Sequence, residues 1–152
     1  MMQKAIAAVL AWAAIGCGPS FEASTPQGFV ELEDQEHFDY RATTADGLVI
    51  AVRELEHEPK GAPDFWIRAI ENQMRQRGGY AMLGSHDVST KTGLKGKQLR
   101  FGHDEGETPY LYVLTLFVTD DQLYLMEFGG TKELVERHKD QLEWAVQNFR
   151  GK

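Results

Sequence analysis

The densest chemistry in this chain lies in His103-Asp104-Glu105-Gly106-Glu107. Three carboxylates and an imidazole within five residues carry the donor atoms of a divalent-cation site. Their spacing matches no fixed ligand pattern, so the run reads first as a solvated acidic loop. Ser85-His86-Asp87 has the residue types of a nucleophilic triad. On a strand, Ser85 and Asp87 face one way and His86 the other, so the three groups cannot meet. Phe128-Gly129-Gly130-Thr131-Lys132-Glu133 places glycines before a helix start. Backbone N–H groups there can hold an anion; the plainer reading is a turn capped by Thr131. His37 and His57 flank the first expected hairpin, and His138 lies on the apolar stripe of the last expected helix. None of these assigns a catalytic residue, a metal ligand or a cofactor. The chain has no G-x-S-x-G, H-E-x-x-H, Walker A, C-x-x-C or G-x-G-x-x-G.

Cys17 is the single cysteine, so it has no intramolecular disulfide partner. It follows Ala5 to Ile15, an apolar run of eleven residues behind Lys4. As a helix that run rises about 16 Å, roughly half of a bilayer core of about 30 Å. It is too short to span a membrane and suits the apolar region of a secretory signal. "AAIGC" (13–17) resembles a bacterial lipobox, which implies cleavage after Gly16 and lipid attachment at Cys17. Several acyl chains would make that attachment effectively permanent, because each buried methylene contributes about 0.8 kcal/mol. The resemblance implies a periplasm-facing envelope lipoprotein. Gly18, in place of a retaining aspartate, favours the outer over the inner membrane.

The chain carries 16 basic and 23 acidic side chains, a formal net charge of −7. Loss of residues 1–16 would remove Lys4 alone among the charges and leave the remainder more acidic. Such a surface repels phosphate backbones and argues against nucleic-acid binding. Residues 17–28 are rich in Gly, Pro, Ser and Thr and read as a lipid anchor followed by a tether. Residues 29–152 suit one domain.

The elements follow from hydrophobic period. "HFDYRATT" (37–44) and "LVIAVREL" (48–55) read as a hairpin turning at Asp46-Gly47. Pro63 opens a helix whose expected buried face is Phe65, Trp66, Ala69, Ile70 and Met74; Gly78-Gly79 ends it. Strands are expected at 80–89, 93–103, 109–119 and 122–128, then a helix over 132–150. Strands 109–119 and 122–128 are apolar on both faces, which requires cover on both sides. The expected class is α+β: an antiparallel sheet of about six strands flanked by helices, in the order two strands, helix, four strands, helix. Trp144 falls on the polar side of the last helix, beside Gln141 and Asn148. That makes it a candidate partner contact, since tryptophan is enriched at binding hot spots.

The order of elements, the "GLKGKQLRF" strand (93–101) and the "LYVLTLFVTDDQLYLMEF" hairpin (111–128) resemble the PsbP/Mog1-like fold. The resemblance includes its bacterial envelope lipoprotein branch, similar to DcrB, and covers roughly residues 29–150. It implies binding or assembly rather than catalysis. The functional expectation is a membrane-anchored, non-catalytic module that binds another envelope protein. Two alternatives stand beside it: a chaperone-like carrier holding a protein segment on an apolar sheet face, and a metal-dependent protein using the 103–107 loop.

Overall fold

A computed structural model describes residues 18–152. The expected signal peptide and Cys17 lie outside the described residues. The strands and helices run β1 (Phe21–Glu22), β2 (Phe29–Glu31), β3 (Tyr40–Thr44), β4 (Val49–Glu56), α1 (Pro63–Gly78), β5 (Ala81–Ser89) and β6 (Lys95–Glu105). They continue with β7 (Thr108–Val118), β8 (Gln122–Thr131), α2 (Lys132–Arg137), α3 (Lys139–Asn148) and β9 (Arg150–Gly151). Seven strands form one antiparallel sheet in the order β2-β3-β4-β8-β7-β6-β5, and β1 pairs β9 as a separate ribbon. The class is the expected α+β, with more strands than the six expected; β2 is the added member of the sheet.

The two-faced strands sit near the middle of the sheet. Leu111, Val113 and Phe117 of β7, with Tyr124, Met126 and Phe128 of β8, pack under Val135, Leu142, Val146 and Phe149. Leu114 and Leu116 point the other way, with Leu99 and Phe101 of β6, and α1 covers them through Trp66, Ile67, Ile70 and Met74. Phe65 is instead exposed, so the buried stripe of α1 is rotated from the expected one and uses Ile67 in place of Phe65 and Ala69. Gly96 faces Phe117 across the ladder, and a Cβ there would lie 2.6 Å from the ring. The ring occupies the space that a side chain would take.

The expected single helix over 132–150 is divided at His138 (φ −100°, ψ 19°). The His138 ring reaches Asp46 at 3.2 Å and meets Phe29 edge-on. Arg137 also reaches Asp46, at 3.1 Å. The first hairpin turn is thereby tied to the helix break. The Thr44 hydroxyl and then the His138 ring hold the Asp46 carboxyl down at about 2.

Residues 20–28, expected as tether, are packed on the domain. The Ser20 N–H donates to Glu54 at 2.9 Å, and Thr25 shares a hydrogen bond with the Tyr40 hydroxyl. Phe21 is 7% exposed and stacks on Phe149 at 5.6 Å, which stacks in turn on Phe117 at 5.1 Å. Truncating a buried phenylalanine costs about 3–5 kcal/mol. Phe21→Ala should therefore lower Tm by about 10 °C relative to the chain from Gly18. An unchanged Tm would show that residues 20–28 are tether after all.

Candidate functional site

The residues singled out in the sequence do not converge. Ser85, His86 and Asp87 lie on β5, opposite Leu99, Gln98 and Lys97 of β6. Successive residues therefore face opposite sides of the sheet, and Asp87 is held by Lys97 at 2.7 Å. In the acidic run, His103 lies 3.8 Å from Glu105, while its ring packs against Tyr80. Asp104 alternates to the other face of the strand. Among the described residues, no group of three or more His, Cys, Asp or Glu side chains is placed to hold a metal ion.

His57 is a structural residue. It is 6% exposed and joins two loops. Its Nε2 accepts from the Gly61 N–H at 3.0 Å and from the Trp66 indole at 3.2 Å. Its Nδ1 lies 2.7 Å from the Thr119 carbonyl. With the Gly61 N–H and the indole N–H both aimed at Nε2, that nitrogen accepts and Nδ1–H donates to the Thr119 carbonyl. His37 is exposed and takes no part in this network. Thr131 accepts from the Leu134 N–H at 3.3 Å and caps α2, the plainer of the two readings of that turn.

Trp144 is 40% exposed. It lines a shallow recess of about 570 Å³ with Asp140 and Gln141 of α3 and Thr25 to Gln27 of the N-terminal segment. The indole is thus bordered by residues expected to be a free tether, and part of its ring remains open.

A groove of about 670 Å³ lies between α2–α3 and the outer strands β5 and β6. Val113, Val135, Leu142 and Val146 form its apolar floor; His86, Gln98, Arg100 and Lys139 are among its polar residues. Residues from β5, β6, β7, α2 and α3 build it, so no local window of sequence carries its signal.

The opposite face buries the carboxyl of Glu127. Glu127 lies beside Tyr112, 3.5 Å from the Arg53 guanidinium, which sits 4.6 Å from the Phe38 ring. Burial raises the Glu127 carboxyl above its ordinary value, and Arg53 draws it back only in part. Burial, then the Glu127 charge, also raises the Tyr112 hydroxyl.

A carboxyl with a raised native pKa makes the folded state bind more protons than the unfolded state. Its favourable contribution is complete below the unfolded value of 4.5 and is lost as pH rises through the native one. Glu127→Gln should consequently match or exceed the wild-type Tm at pH 7, with the difference closing as pH falls below about 4.5. A variant that melts several degrees lower at pH 7 would show that the Arg53 pair is net stabilising.

No family model matches the sequence, and neither does any curated protein. Solved structures do match. LpqN of Mycobacterium tuberculosis, described as involved in cell envelope biogenesis, has TM-score 0.70 at 9% identity over 85% of this chain and 81% of its own. CyanoP, the cyanobacterial PsbP of Synechocystis sp. PCC 6803, has TM-score 0.62 at 10% identity over 88% and 87%. PA94 of Pseudomonas aeruginosa, of unknown function, has TM-score 0.54 at 13% identity over 85% and 81%. At such identities the likeness is one of architecture: the chain has the PsbP/Mog1-like fold.

Proposed function

We propose that this protein is a lipid-anchored, non-catalytic module of the bacterial cell envelope that binds another envelope protein. The observation that carries the binding reading is the groove between α2–α3 and the outer strands, with its apolar floor and polar rim. Protein interfaces are built in this way, with an apolar centre and a polar surround. Trp144, half-open beside the N-terminal segment, is proposed as a second contact. The described fold of LpqN, a protein of envelope biogenesis, supports the location.

Ser20 is already bonded to Glu54, so only Gly18 and Pro19 separate Cys17 from the folded domain. Three residue steps reach at most about 11 Å. A lipid on Cys17 would therefore hold the domain against the membrane surface, and in the outer membrane by the rule that Gly18 suggests. The carrier alternative needs an exposed apolar sheet face, whereas α1 covers one face of the central strands and α2–α3 the other.

Two arms test the reading in intact cells. Radiolabelled palmitate should enter the wild type and not Cys17→Ser; an unlabelled wild type, or a labelled variant, would remove the anchor. A photo-cross-linking residue at Glu143 on the groove rim, or at Trp144, should trap a discrete envelope protein. The same residue at exposed Asp64 on α1 should not. Equal trapping at all three positions, or none at any, would remove the binding reading.

A further inference from the structure

We propose that the open edge of β5 takes up an extended segment of the partner protein as an eighth strand, with alternate side chains of that segment entering the adjoining groove. The proposal rests on the protein-binding reading above and names the form of the partner. β5 is nine residues long and pairs with β6 alone. Among the described residues, its backbone makes no hydrogen bond outside that ladder. On an antiparallel edge, alternate residues turn both N–H and C=O outward. Nine residues therefore offer about four such pairs, and only another extended backbone satisfies them in series.

The two edges of the sheet differ in their protection. The β2 edge is three residues long, and short edges resist pairing. β5 has no lysine and no proline, and its one carboxylate, Asp87, is already held by Lys97. Its bulge lies near one end, between Met82 and Gly84, which leaves Gly84–Ser89 in regular register. Leu83 at the bulge is 61% exposed.

The groove states the chemistry of the side chains. It opens beside β5, where His86 and Val88 point into it above the floor. A strand added to β5 would alternate its side chains between the two faces, so every second one would lie on the groove side. The apolar floor calls for large apolar side chains at those positions. Lys139 on the rim is paired with Glu143 at 3.9 Å. Arg100 makes no hydrogen bond or ion pair with any described residue. The groove's carboxylates are already paired, Asp87 with Lys97, Glu136 with Lys132 and Glu143 with Lys139, so the charge left for an incoming side chain is the Arg100 guanidinium, which calls for a carboxylate.

A second copy of this chain fits less well. Antiparallel pairing of β5 with itself keeps the same face up, so the copy would present Gly84, His86 and Val88 on the groove side. That set has no carboxylate and no large apolar chain, and each copy brings an acidic surface.

The test uses the chain from Gly18, which contains every residue of both core clusters, and a phage-displayed library of random peptides. The strongest selected peptide is then synthesised as the probe. It should carry alternating apolar residues and an acidic one, and it should protect amides of Ala81–Ser89 from hydrogen exchange. N-methylation of its backbone should weaken binding at least tenfold at every second residue and be tolerated between them. Arg100→Gln should weaken binding about tenfold, and replacing the peptide carboxylate by an amide should add little to that loss. A failed library, an absence of N-methyl periodicity, or β5-mediated dimerisation of the free chain would each overturn strand addition. Peptides that protect the Trp144 surface instead would also overturn it, while leaving the protein-binding reading standing on the cross-links.

Discussion

The architecture depends on a hairpin with two apolar faces. β7 and β8 bury Leu114 and Leu116 on one side and Val113, Phe117, Tyr124 and Met126 on the other. A sheet built around such strands cannot leave either face in water, since each buried apolar side chain contributes about 1.5–3 kcal/mol. One helix, α1, therefore caps one face, and the α2–α3 pair caps the other. The remaining strands extend the sheet outward from this centre. Cover is incomplete at β5, whose residues are exposed along almost the whole strand. The open edge and the groove are thus consequences of helices placed to protect the middle of the sheet.

Much of this was legible because it is local. The alternation along 109–128 specifies strands covered on both sides, and Asp46-Gly47 specifies a tight hairpin; Gly47 does adopt φ +95°. The less legible parts depend on distant contacts. Phe21 sits in a Gly, Pro, Ser and Thr-rich stretch whose composition says tether, yet Phe149 and Tyr124 provide its surroundings from the far end of the chain. The break at His138 has no proline or glycine to announce it; Asp46 supplies the contact from another hairpin. The buried stripe of α1 takes Ile67 in place of Phe65 and Ala69, and the His57 partner of Trp66 comes from a loop outside the helix.

The candidate site was legible only in part. Trp144 was visible as a tryptophan on a polar helical face, and it is indeed partly exposed, though bordered by Thr25 to Gln27. The groove was not visible, because its floor residues read as ordinary core positions in each of their own elements. Arg100 likewise reads as an outward-facing strand residue until α2 and α3 are placed over its face. The runs 85–87 and 103–107 carry reactive residue types, and strand alternation separates the side chains of 85–87 and 103–105.

The sheet is sealed over its centre on both faces and open along β5. Residue-resolved amide hydrogen exchange on the free protein tests it most directly. Exchange should be slowest in β7 and β8 and should alternate along β5, with outward amides exchanging rapidly and those bonded to β6 protected. Uniform strong protection along Ala81–Ser89, or rapid exchange in β7 and β8, would contradict it.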